Sequence, residues 1–151
     1  MSSIDLDPFQ ELLAEPNPDS YQQVLELLLE ELFAERGCMW LERENAFIYS
    51  GDEELRKEFP FSRQAIDAVL DQGRSFISYN AEQDERLRPS GSIMMHNVRS
   101  CVCAACKDEN GKVLVLAYFD NSMSSGNFSE DDLDSLKAVL SLVPGASPVT
   151  V

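Results

Sequence analysis

The stretch VRSCVCAACKDENGKVLVLAYFDNS, residues 98–122, decides how this chain folds. It holds two nearly continuous apolar runs, Cys101 to Cys106 and Val113 to Asn121, parted by a short polar corner. Unbroken runs of this kind are expected of strands covered on both faces. At the corner stand Asn110 and Gly111, residue types that accept positive φ, so the spacing predicts a tight hairpin turn. The two strands should be adjacent, antiparallel and central in a sheet.

Reading outward toward the C-terminus, Ser129 can cap a final helix in which Leu133, Leu136, Val139, Leu140 and Val143 form one stripe. Glu130, Asp131 and Asp132 sit near its positive end, where carboxylates are favourable. Toward the N-terminus, Phe76 to Tyr79 reads as a strand. Before it, Ser62 caps a helix with the apolar face Ala65, Ile66, Val69 and Leu70, followed by Gly73. Residues 81–97 mix charge with Pro89, Gly91 and the triplet Ile93, Met94, Met95, and read as a long loop with one or two short helices. Cys38 to Arg43 and Ala46 to Ser50 predict a second hairpin, with Trp40 and Phe47 as core candidates. A helix from Tyr21 to Arg36, capped by Asp19 or Ser20 and ended by Gly37, carries Val24, Leu25, Leu28, Leu29, Leu32 and Phe33 at helical spacing. Residues 1–18 read as an extension with a helical turn at Phe9 to Ala14, residues 19–143 as one domain, and residues 144–151 as a frayed tail. The order predicts an α+β fold: an antiparallel sheet with the terminal helices on one face and the central helix and irregular loop on the other.

Composition bounds the function. A chain of 151 residues with 44% hydrophobic side chains supports one domain, burying roughly 68–70% of its surface. With 27 acidic against 12 basic side chains, the net charge of −15 repels nucleic acid and anionic membranes. No apolar run approaches the roughly 20 residues that span a bilayer, and MSSIDLDPF lacks the basic and apolar regions of a signal peptide, so a cytoplasmic protein is expected.

Cys38, Cys101, Cys103 and Cys106 raise the question of a metal. Cys103 and Cys106 have half a zinc site's spacing, but residues three apart on a strand point to opposite faces, and there is no second close pair. Packed, reduced thiols and no metal are expected. His96, the single histidine, reads as a surface or pocket-rim residue. The carboxylate runs at Asp52 to Glu54 and Glu130 to Asp132 read as solvated helix starts, not as catalytic pairs.

The segment order resembles the GAF domains, small-molecule sensing and dimerisation modules of signalling proteins, over roughly Tyr21 to Val143. FSRQAIDAVLDQGRSFISYNAEQDERL is similar to the family's helix, glycine, strand and acidic loop; the stretch quoted first is similar to its central hairpin; and FSEDDLDSLKAVLSLV is similar to its closing phenylalanine and helix. Asn80 and Ala105 stand where the family commonly has Asp and Pro. Members that bind cyclic nucleotides share the pattern met here by Asn121, Phe128 and Asp132, but Ser122 and Leu133 replace a lysine and a glutamate, and the lid ion pair cannot form. A bilin attached at a cysteine followed by histidine is not matched by Cys101 or Cys103. Members that reduce free methionine sulfoxide need cysteines in the pocket loops, and none occurs from Phe76 to Asn97.

The resemblance therefore implies a GAF-like sheet of the PAS and profilin type and a regulatory sensor with no reaction of its own. It implies no cofactor. A pocket between the sheet and its covering loop would be lined by Tyr49, Ile66, Met94, Met95, Val98, Cys103 and Tyr118, apolar walls with a phenolic hydrogen-bond donor, suited to a small, flat, mostly apolar ligand. Implied partners are an unknown small molecule, an effector domain or protein, and a second copy. The alternative is a structural homodimer with an empty pocket, joined through the Tyr21 to Arg36 and Leu133 to Val143 helices, whose stripes are wide enough for both sheet and partner. A small redox or metal-dependent enzyme is the third reading.

Overall fold

The structure, a computed structural model, describes residues 4–50, 76–78, 98–122 and 128–147, with 76–78, 98–100 and 122 as backbone. The elements in these residues are α1 (Asp7–Ala14), α2 (Pro18–Glu31), β1 (Arg36–Leu41), β2 (Ala46–Tyr49), β3 (Phe76–Ser78), β4 (Val98–Lys107), β5 (Val113–Ser122) and α3 (Glu130–Leu140). The strands form one antiparallel sheet in the order β2-β1-β5-β4-β3. The fold is the α+β arrangement expected, and the residue 98–122 hairpin lies at its middle. The anticipated helix at residues 62–73 and the loop at 81–97 lie outside the described residues.

The hairpin corner differs in detail from the two-residue turn expected. Gly111 takes φ +83°, whereas Asn110 is not among the positive-φ residues. Asp108 is the deciding residue. Its Oδ1 accepts from the backbone N–H of Asn110 at 2.8 Å and of Lys112 at 3.0 Å, and its carbonyl accepts from Gly111 N–H at 3.0 Å. A wider turn with glycine in the left-handed position results, and the register slips between Cys106 and Lys107 to absorb the extra residue.

α2 begins earlier than expected, because Pro18 fits the first helical position and Asn17 caps it. Asn17 Oδ1 accepts from Ser20 N–H at 2.9 Å, and Ser20 Oγ accepts from Asn17 N–H at 2.7 Å. The helix also ends earlier. Phe33, not Gly37, supplies the left-handed residue, at φ +53°, with Phe33 N–H donating to Glu30 O at 3.2 Å and Ala34 N–H to Leu29 O at 2.9 Å. Phe33 thus leaves the apolar stripe assigned to it and is 84% exposed.

Gly37 lies instead in β1. A Cβ there would stand 2.6 Å from two ring carbons of Phe119 and 3.3 Å from Leu25 Cδ1, so the missing side chain is what lets α2 and the Phe119 ring close on the strand. Strand alternation sends Met39, Leu41, Val102, Ala104, Cys106, Val115, Ala117 and Phe119 to one face, into a core with side chains from the three helices of the described residues. α1 adds Phe9 and Leu13 to it, α2 Val24, Leu25 and Leu28, and α3 Leu133, Leu136, Val139 and Leu140. Ser147 N–H donates to Lys107 O at 2.8 Å, closing the chain back on the hairpin.

Candidate functional site

The other sheet face carries the polar chemistry. Facing residues in the register share a face, so Tyr49, Cys38, Tyr118 and Cys103 form one row across β2, β1, β5 and β4. Arg36, Asp120 and Cys101 form the next row. Phe47, Trp40, Leu116 and Ala105 form a row on the other side of the first. Trp40 and Phe47, expected in the main core, are half-buried here, their ring centroids 4.9 Å apart. Trp40 Nε1 donates to Glu42 Oε2 at 2.8 Å, an outlet that the helix-side core does not offer.

Within this face Cys38, Cys101, Cys103, Leu116 and Tyr118 are fully buried, and Asp120 is only 1% exposed. A carboxylate so placed needs partners. Arg36 Nε and Nη2 donate to Asp120 Oδ1 and Oδ2, each at 2.9 Å, and the Tyr118 hydroxyl donates to Oδ2 at 2.9 Å. Burial raises the Asp120 carboxyl to about 6, against the opposing pull of Arg36 and Tyr118. Tyr118 therefore spends on Asp120 the proton expected to serve a ligand.

The thiols here are held protonated. Burial pushes Cys38 far up, with the Asp120 charge adding to it, and burial does the same to Cys103. On the helix side, burial raises Cys106 to about 11. All four cysteines are free and buried, and Cys106 and Cys103 face opposite ways as their spacing predicts. Among the described residues no three His, Cys, Asp or Glu side chains converge in a way that could hold a metal ion.

Asp120 and Asn121 also tie this face to the end of α2. Glu35 N–H donates to Asp120 O at 3.2 Å and to Asn121 Oδ1 at 2.7 Å, and Asn121 Nδ2 donates to Phe33 O at 3.1 Å. The three residues matching the cyclic-nucleotide pattern thus have structural tasks: Asn121 clamps the α2 exit, Phe128 is buried in the core, and Asp132 caps α3 with Ser129. Ser50 Oγ accepts from Gly37 N–H at 2.9 Å and donates to Gly37 O at 3.1 Å, fixing the start of β1 from the other edge.

Of the pocket residues expected from the sequence, Tyr49, Cys103 and Tyr118 come together in a single row. Val98 begins β4 opposite Ser122. Ile66, Met94, Met95 and His96 lie outside the described residues. Arg36 and Asp120 are not among the residues the sequence points to, while Cys38 and Cys101, expected as packed thiols, are buried on this face. One signal could have found Asp120, a lone charge closing the apolar run VLVLAYF, since an unpaired carboxylate is seldom left in a covered strand.

A helix-backed antiparallel sheet with a buried ion pair on its second face defines a small α+β domain built around two unlike faces. Residues 18–144 match the GAF domain family, and the chain belongs to that family. No curated protein matches it significantly in sequence. Among solved structures it is similar to the GAF domain from a Coxiella burnetii phosphoenolpyruvate-protein phosphotransferase, at 14% identity and TM-score 0.66 over 91% of this chain and 87% of that one. It is similar to the Acinetobacter GAF domain of the same kind of enzyme, at 18% identity and TM-score 0.64 over 94% and 91%. It is also similar to free methionine-R-sulfoxide reductase from Neisseria meningitidis, solved with its substrate, at 12% identity and TM-score 0.61 over 89% and 80%.

The last likeness overturns the expectation that the chain has no reaction of its own. The fold holds a reductase about as closely as it holds the two phosphotransferase domains, so it does not separate catalyst from binding module. No helix among the described residues is long and apolar enough to cross a membrane.

Proposed function

We propose that the chain is a regulatory sensor domain in which a small, mostly apolar molecule bound over Tyr49, Cys103 and Tyr118 alters the joint between α2 and β1. Ile66, Met94, Met95 and Val98 complete the ligand walls in this reading. The observation that carries it is the unbroken set of bonds from the buried face to that joint, through Asp120 to Arg36 and Glu35 and through Asn121 to Phe33. A ligand that displaces Tyr118 or Asp120 has to strain the α2 exit. It shifts the equilibrium by as much as it prefers one arrangement of that exit over the other. The output is an effector domain or partner protein, a role supported by the phosphotransferases to which similar domains belong. Four free buried thiols support a reducing, cytoplasmic setting.

A thermal-shift screen with nucleotides and small aromatic metabolites tests this. A ligand at 100 times its dissociation constant adds about 2.7 kcal/mol, a rise of roughly 5–11 °C for a domain of this size. The rise should shrink in Tyr118→Phe. A hit of equal size in Tyr118→Phe and Asp120→Asn would place binding elsewhere and count against the reading.

A second reading, reduction of free methionine-R-sulfoxide, is favoured by the three thiols on the same face. Two thiols would become a disulfide, and the sulfoxide oxygen would leave as water. Methionine formed from the sulfoxide and dithiothreitol should then exceed that of a Cys38→Ser, Cys101→Ser, Cys103→Ser variant; equal yields reject it.

Homodimerisation through α2 and α3 would have to use the half-buried Leu27 and Leu29 of α2 and Leu142 just past α3, because the main stripes are spent on the sheet. Light scattering at high concentration decides between monomer and dimer.

A further inference from the structure

At the other end of the central strands from Arg36 and Asp120 lies a cavity of about 470 Å³ between the start of α2, the β1–β2 turn, the β4–β5 turn and the chain after α3. Pro16, Leu114, Val143 and Pro144 give it apolar walls. Four charged side chains and one phenol reach it, and their partners differ. Glu42 accepts from Trp40 Nε1 and stands 3.8 Å from Lys112 Nζ, and Asp108 Oδ1 holds the two backbone N–H groups of the hairpin corner. Arg43 is exposed and makes no ion pair or hydrogen bond among the described residues. Tyr21 is half-buried, and its hydroxyl also has no hydrogen bond among the described residues. Burial holds the Tyr21 phenol above its usual range, with the Cys106 and Glu44 charges adding to the rise and the Arg43 charge opposing it. A cavity of this size with apolar walls and, on its rim, two donors that have no partner among the described residues has the form of a small-molecule site.

We propose that this cavity binds a small carboxylic acid with an apolar body, its carboxylate on the Arg43 guanidinium and the Tyr21 hydroxyl, its body against Leu114, Val143 and Pro144. The planar fork of arginine matches the two oxygens of a carboxylate. Phosphate is disfavoured, because among the described residues Arg43 is the one cation lining the cavity without a counter-ion, Glu42 and Asp108 line it too, and the chain carries a net −15. The site is separate from the Tyr118 face and does not depend on the sensor reading.

The test is a titration of the isotope-labelled full chain with hydrocinnamate, followed by magnetic resonance, with hydrocinnamide as the neutral isostere and inorganic phosphate as the multivalent anion. Hydrocinnamate should move the methyl signals of Leu114 and Val143 and bind about tenfold or more tightly than either control. Arg43→Gln should remove that preference while leaving the thermal midpoint unchanged, since Arg43 is exposed, and Tyr21→Phe should weaken binding several-fold. Equal binding of acid and amide, tighter binding of phosphate, signals that move on the Cys38 and Tyr118 face, or an Arg43→Gln variant that binds as before would each overturn the proposal.

Discussion

Replacing Phe33 with glycine should stabilise the domain, whereas replacing it with alanine should not. Phe33 sits at φ +53° immediately after the last turn of α2, a position most helices give to glycine. A residue with a Cβ gives up about 1–2 kcal/mol in the left-handed region. The aromatic ring regains little of this by packing, because the side chain is 84% exposed. Glycine removes the strain and adds roughly 0.5–1 kcal/mol of unfolded-chain entropy. The net expectation is about 0.5–1 kcal/mol of added stability, a rise in midpoint of roughly 1–4 °C for this length. Alanine keeps the Cβ, and with it the strain, so it should lie within about 0.5 kcal/mol of the parent. Urea unfolding followed by circular dichroism measures both variants, with the denaturant slope checked for constancy. A Phe33→Gly protein no more stable than the parent, or an alanine variant that gains as much, would refute the reasoning and show that the ring earns its place by a contact within the folded chain.

Other outcomes follow from the same geometry. Gly37→Ala should cost about 1–3 kcal/mol, since the new methyl would press on the fully buried Phe119 ring at 2.6 Å; denaturant unfolding measures it, and a neutral result would mean that the ring has room to turn. Arg36→Met should destabilise by about 3–5 kcal/mol at neutral pH, because it leaves Asp120 buried without its cation, and Arg36→Met with Asp120→Leu should recover much of the loss. Raised to about 6, the Asp120 carboxyl keeps its proton in the folded chain between about pH 4 and pH 6, while the unfolded chain has released it. Folding takes up a proton there, so stability falls as pH rises through that window, by about 3 kcal/mol for this group. The stability of the parent minus that of Asp120→Asn should fall accordingly, and a difference that is flat or rises with pH would contradict it. Asp108→Ala should loosen the hairpin by about 1–2 kcal/mol through loss of two hydrogen bonds to backbone N–H groups, with faster amide exchange at Asn110 and Lys112 as the local readout.

Much of this architecture is written in short-range patterns. Nearly continuous apolar runs on either side of a corner at residues 108–112 specify a central hairpin, because a strand covered on both faces carries charge only where a partner answers it, as Arg36 answers Asp120. Helical spacing of Leu133, Leu136, Val139 and Leu140 after a capping serine specifies α3, and the opposite facing of Cys103 and Cys106 follows from a two-residue period. These rules act within a turn or a few residues, so one chain read alone contains them.

The site obeys no such rule. Arg36 meets Asp120 across 84 positions of sequence, and helical spacing alone carries Arg36 into α2, whereas it begins β1. Tyr49, Cys38, Tyr118 and Cys103 become neighbours through the pairing of four strands, whose register depends on how α2 packs over Gly37 and on which turns the corners adopt. Phe33 illustrates the same limit: a phenylalanine in an apolar stripe signals burial, and it is the pull of Asn121 on its carbonyl, together with the need to start β1 beside β5, that turns it outward. Local preference selects the pieces of this fold, while long-range pairing selects which of their side chains share a face, because that choice is a balance of contacts no nearby residues can represent.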